Sequence, residues 1–171
     1  DDLTINANIT STGGGTIDLI AGDDIVQTGG TITSTAGAGS RLVKLTADNE
    51  GTGTDADRGG VTQSSGNILA TNLVVRAFDA VALGTVTTNN VTNLAANVTN
   101  SGAAFAYQDA DSVDLTTVDS LSGITTNAGA ITINATSGTI TVSQPITSTT
   151  GTGGGISITG AVIVNNTITA A

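Results

Sequence analysis

Gly15-Thr16-Ile17-Asp18-Leu19-Ile20-Ala21 returns late in the chain as Gly129-Ala130-Ile131-Thr132-Ile133-Asn134-Ala135. The two copies stay in step as far as Ile32-Thr33-Ser34-Thr35 and Ile146-Thr147-Ser148-Thr149, and a third begins at Gly155-Ile156-Ser157-Ile158-Thr159. Working outward, Ile25 to Ile32 aligns with Val61 to Ile68, and Ile140 to Ile146 with Val162 to Ile168. Self-similarity at a period in the low twenties marks a solenoid, in which each repeat is one coil stacked on its neighbours.

Within the repeats, β-branched residues alternate with Thr, Ser, Asn or Asp, as in Leu3-Thr4-Ile5, Ile131-Thr132-Ile133 and Ile140-Thr141-Val142. Period-two alternation puts one face inward and the other in solvent. Nowhere does a 3.6-residue apolar stripe last three turns, so helices are not expected. Glycine clusters at Gly13-Gly14-Gly15, Gly29-Gly30 and Gly151 to Gly155 supply the turns. Turn-separated strands also suit a β-sandwich, but sandwich strands differ from one another and would not realign in order. The expected fold is an all-β parallel β-helix, one β-solenoid segment over residues 1–171. Coils of ~20–25 residues predict about seven or eight coils and a rod roughly 35–40 Å long. Ile17, Leu19, Ile131, Ile133, Ile140, Ile156 and Ile158 are expected inside. Asn8, Asn134 and Asn165-Asn166 are candidates either for stacked amide ladders or for turns.

Two stretches depart from the pattern. Asp48 to Gly60 is acidic, polar and without period, and reads as a loop protruding from one coil. Ala103 to Asp111 holds two of the three aromatic residues, Phe105 and Tyr107, two apart and so on one face. Core filling is the expectation for them, with an exposed sugar-stacking pair as the sharper alternative.

Composition excludes several functions. The net charge is −10, and Arg41, Lys44, Arg58 and Arg76 are the only basic residues. No basic patch can neutralise phosphates, so nucleic acid is not an expected partner. No apolar run reaches the ~18 residues of a membrane span. Without histidine or cysteine, Ser-His-Asp and Cys-His catalysis and ordinary zinc sites are excluded. Asp23-Asp24, Asp55/Asp57 and Asp109/Asp111 could form a hydrolase pair, but almost no aromatic side chain accompanies them, and no enzyme activity is expected. Calcium suits those acids better: Asp48, Glu50, Asp55 and Asp57 offer oxygen ligands on one loop, although the loop matches no calcium motif and a merely solvated loop is the simpler reading. Thr-x-Thr phrases at Thr31/Thr33, Thr85/Thr87, Thr139/Thr141 and Thr167/Thr169 raise ice binding as a separate alternative, since a flat Thr array would match ice.

Gly129 to Ala135, Val61 to Ile68, Leu94 to Thr99 and Ser122 to Gly129 resemble the strand repeats of filamentous-haemagglutinin-like bacterial exoproteins. The resemblance covers nearly the whole chain and implies a right-handed β-helix in the shaft of a secreted surface adhesin. It carries no catalytic residues. The expected role is therefore a structural shaft segment, extracellular or on a bacterial surface, with adhesion to host or surface glycans as a further possibility. Its expected partners are further repeats or copies of itself. Both ends open on repeat strands, which predicts continuation end to end, in one longer chain or by stacking.

Overall fold

The computed structural model describes residues 1–48, 58–149, 151 and 154–170. Among them there is no helix. Seventeen strands join in one sheet of parallel pairs, wound as a β-solenoid of about six turns. The first face shows the stacking most simply. Leu3–Ile5, Ile25–Gln27, Val61–Gln63, Val81–Leu83, Phe105–Asp109, the start of Ile131–Val142 and the start of Ile156–Val164 lie one upon the next. Seven strands with six spacings of ~4.8 Å give a stack about 29 Å deep. The expected seven or eight coils were slightly too many. The step from Ile25 to Val61 spans one coil; of the loop expected at Asp48 to Gly60, residues 49–57 lie outside the described residues.

The interior is built of columns. One runs Leu3, Ile25, Val61, Val81, Phe105, Ile131, Ile156. Another runs Ile17, Val43, Leu73, Leu94, Leu115, Val142, Val164. Each coil pairs its backbone with the coils above and below, so a chain nearly without aromatics still builds a continuous core from small branched side chains. Phe105 and Tyr107 are both fully buried, which confirms core filling and removes the sugar-stacking alternative for them.

Three of the predicted interior residues are only partly buried: Leu19 in the first coil, and Ile156 and Ile158 in the last. Each of these coils has a neighbour on one side only, so half of the column contact is missing.

The recurring phrases are not all equivalent positions. Ile131 stacks on Phe105 and Ile156, whereas Ile17 stacks on Val43, on a different face. Likewise Ile32 pairs with Ile9 and Ile68, while Ile146 pairs with Ile124 and Ile168. The strands of all the faces share one grammar, so the long-range match slipped by a face. The short-range matches are true neighbours: Ile25 pairs with Val61, Ile32 with Ile68, Ile140 with Val162 and Ile146 with Ile168. Gly30 (φ 66°) and Gly66 (φ 82°) mark one such repeated corner in the left-handed region, where a Cβ would meet the backbone of the coil above.

Amide ladders exist, but not at the predicted asparagines. Asn8 is exposed and its Oδ1 accepts from Thr31 N, a turn role, while Asn166 Oδ1 accepts from Thr167 N. The buried ladder is Gln27, Gln63 and Asn89: Gln63 Nε2 donates to Gln27 Oε1 (3.0 Å) and Asn89 Oδ1 (2.9 Å), and Asn89 Nδ2 donates to Gln63 Oε1 (2.7 Å). One coil further on, buried Asp109 accepts from Tyr107 Oη, Val91 N and Asp111 N. Burial raises the Asp109 carboxyl above its ordinary 3.8, partly offset by these hydrogen bonds. Burial, with Asp109 beside it, also pushes the Tyr107 hydroxyl well up. A raised carboxyl contributes most below its ordinary range, and its contribution falls as pH rises through the folded value.

Candidate functional site

The third face carries the feature that periodicity did not predict. Its strands Ile17–Ile20, Leu42–Thr46 and the second halves of Asn67–Ala77 and Asn90–Val98 stack regularly. Below them the face divides: Leu94 continues to Leu115, but Ala96 continues to Ile124. The residues between are extruded as an antiparallel hairpin of Thr117–Val118 and Leu121–Ser122. Asp119 (φ 48°) and Ser120 (φ 65°) both sit in the left-handed region, as a two-residue primed hairpin turn requires.

This hairpin folds back over the outside of the solenoid. Val118 and Leu121 pack on Leu42, Val74 and Ala95, a second apolar cluster separate from the core. A sequence signal existed for it. Leu73-Val74-Val75 and Leu94-Ala95-Ala96 break the alternation, because their middle residues point outward and need a cover.

At the hairpin tip, Asp119 reaches two basic residues of earlier coils. Its Oδ2 lies 3.2 Å from Lys44 Nζ and 3.2 Å from Arg76 Nη1, and its backbone oxygen accepts from Arg76 Nη2 at 2.8 Å. Lys44 also pairs with Asp18 at 3.4 Å. Hydrogen bonding to Lys44, with both cations nearby, lowers the Asp119 carboxyl below its ordinary 3.8. Hydrogen bonding to Asp119 raises Lys44. A depressed carboxyl contributes stability above its ordinary range, and loses it as pH falls through the lowered value. Asp119→Asn is therefore expected to speed amide hydrogen exchange of Val118 and Gly123 at neutral pH, and acidifying the unmodified chain should narrow the difference. Equal exchange in both chains at neutral pH would show that apolar packing alone holds the hairpin.

Two clefts flank the hairpin strip. One, of about 300 Å³, lies under the hairpin between Ser40, Leu42, Asn72, Thr117, Val118 and Asp119. Its polar groups are engaged within the protein: Asn72 Nδ2 donates to Ser40 O, Asn93 Nδ2 donates to Asn72 Oδ1, and Thr117 shares a hydrogen bond with Ser122. That outer amide ladder stops at Asp114, which pairs with Asn93 but has no N–H to donate, and whose Oδ1 is buried without a hydrogen-bond partner among the described residues. The other cleft, of about 160 Å³, lies between Thr46, Ala47, Asp48, Arg76, Ala77, Phe78, Asn97 and Thr99.

Of the four acids proposed for calcium, Asp48 lies at the second cleft, at a positive φ of 59°. Glu50, Asp55 and Asp57 fall outside the described residues. Among the described residues no group of three or more acidic side chains is close enough to hold a metal ion. The remaining acid pairs do not converge. Asp109 is buried while Asp111 is exposed, and Asp24 Oδ1 accepts from Gly60 N while Asp23 points to the chain's first amino group. The Thr-x-Thr phrases sit in different columns: Thr33 stacks between Thr10 and Leu69, Thr141 between Asp114 and Ile163. One of the phrases does join a short Thr column: Thr169 stacks on Thr147, and Thr147 on Thr125.

No helix among the described residues is long and apolar enough to cross a membrane. In comparisons with known proteins, no family model, no curated protein and no solved structure matches this chain.

Proposed function

We propose that this chain is a shaft segment of a secreted bacterial surface or filament protein, continued end to end by further coils. One observation carries the reading: successive coils pair in parallel register along the described stack, and each inward side chain meets an equivalent in the next coil, from Leu3 through Ile25, Val61, Val81, Phe105 and Ile131 to Ile156. Such a stack adds coils by repeating one contact, the property a shaft needs. Where that contact is absent, as at Val162, Val164 and Ile168 (38%, 54% and 40% exposed against fully buried Ile140, Val142 and Ile146 one coil earlier), an apolar column is left open to solvent. The stiff parallel stack, with almost no large side chains and an uncharged stretch from Ser120 to Ala171, suits a load-bearing or spacing role rather than a reaction. Secretion and the surface location rest on the repeat resemblance, and adhesion is its extension.

The test is the association state of the isolated segment. Sedimentation and electron microscopy should show concentration-dependent linear association, and Val164→Lys should suppress it. Stable monomers at high concentration, with amides of the last coil protected from exchange, would mean that the end is already satisfied and the shaft reading wrong.

A further inference from the structure

We propose that the hairpin from Thr117 to Ser122 is a strap held by an ionic clasp, which opens as a unit and uncovers an apolar strip while the solenoid beneath stays wound. The strap is independent of the shaft reading, since it lies along the side of the coils and not at their ends.

The ladder closes without it. Leu94 pairs with Leu115 and Ala96 with Ile124, on either side of the strap. At its base Thr116 N donates to Leu94 O (3.1 Å), Gly123 N to Thr116 O (2.9 Å) and Ala96 N to Gly123 O (3.0 Å). Those three bonds draw the two ends of the strap together and hand the chain on to the next strand. Thr117–Val118 and Leu121–Ser122 meanwhile pair only with each other, in a sheet of their own.

A hairpin of so few residue pairs does not hold its shape alone in water, so its closed state depends on what lies under it and at its tip. Register stacks Asp18, Lys44, Val74 and Ala95 in one outward column, with Leu42 in the column beside it. Val118 and Leu121 cover the apolar part, and Val74 and Ala95 are fully buried although they face out from their strands. The tip sits where that column turns from apolar to charged. There Asp119 meets Lys44, and Arg76 from the column on the other side, while Asp18 shares Lys44. All four of these side chains are partly open to water, so each pair contributes little and is screened by salt. Two apolar side chains and a clasp of weak surface pairs hold far less firmly than core columns locked from both sides. Segments held in that way open locally, ahead of the global transition.

The chain has no cysteine, so single-cysteine variants report exposure one position at a time. Val74→Cys and Ala95→Cys each place a thiol under the strap. Val75→Cys, on the same strand as Val74, places one in the main core between Leu45 and Ala96. Under native conditions an aromatic disulfide reagent should react at least about tenfold faster at positions 74 and 95 than at position 75. Adding Asp119→Asn removes the charge and keeps a residue suited to the left-handed turn. It should speed reaction at 74 and 95 by about three- to fivefold and leave 75 unchanged. Salt at ~1 M should do the same to chains that keep Asp119, and little to those that lack it. Either covered position carries the test if the other variant does not fold. Equal rates at covered and core positions would mean that the strap opens only with the solenoid, and would overturn the proposal. So would covered-position rates that Asp119→Asn leaves unchanged, or an acceleration that extends equally to position 75. None of these outcomes bears on end-to-end association, which is read separately.

Discussion

Replacing Ile133 by Asp is expected to destabilise the solenoid by about 4 kcal/mol or more, as read from chemical denaturation. Ile133 is fully buried between Tyr107 above and Ile158 below. An aspartate there would leave a carboxylate among apolar side chains, with the Tyr107 hydroxyl already donating to Asp109. The lost isoleucine contacts add to the charge penalty, and a side chain smaller than isoleucine leaves part of the volume unfilled. Ile133→Val should cost about 1 kcal/mol, since it removes one methylene and keeps the branched shape. The contrast with Thr132→Asp is the control. Thr132 points outward from the same strand, and a change there should stay within about 0.5 kcal/mol. Similar losses at positions 132 and 133 would contradict the inward assignment of alternate residues.

That alternation is why so much of the fold was legible. In a parallel stack the side chain at each inward position meets an equivalent from the next coil, so one local rule, applied at Ile131-Thr132-Ile133 and again at Ile156-Ser157-Ile158, specifies both the strand and its partner. The rule also explains the error in phase. Ile17-Asp18-Leu19 and Ile131-Thr132-Ile133 obey the same alternation on different faces, and nothing local says which face a strand occupies. The hairpin was hidden for a different reason. Val74 and Ala95 are outward residues made apolar by a segment far along the chain, so their own neighbourhood reads simply as a long apolar run. The second cleft was equally hidden, because Thr46, Asn97 and Thr99 look like any solvated residues until the register brings them together. Of the acidic loop expected at Asp48 to Gly60, residues 49–57 lie outside the described residues.

Replacing Gln63 by Leu should cost about 2–5 kcal/mol, although leucine is nearly the same size and more apolar. Shape is not the obstacle. Val61 and Thr62 pair with Val81 and Ala82, so Leu83 already stands one coil away in the column that Gln63 occupies. The penalty is polar. Gln63 is the middle of the buried ladder, donating to Gln27 and Asn89 and accepting from Asn89. Leucine leaves Gln27 Oε1 without a donor, and leaves Asn89 Nδ2 with only long contacts of 3.4 and 3.5 Å to Leu83 O and Val86 O. Asn89 Oδ1 keeps Ile68 N at 2.8 Å, so the corner itself need not open. Each orphaned buried group costs about 1–3 kcal/mol, which sets the range. The same reasoning makes the two glutamines non-additive. Removing Gln27 as well deletes the orphan that Gln63→Leu created, so the double replacement should fall short of the summed single losses by about 1 kcal/mol or more. Urea denaturation of the two single variants and the double variant measures this directly. If Gln63→Leu is as stable as the unmodified chain, or if the losses simply add, the glutamines are passengers at a corner held by its glycines, and the ladder contributes nothing to holding successive coils in register.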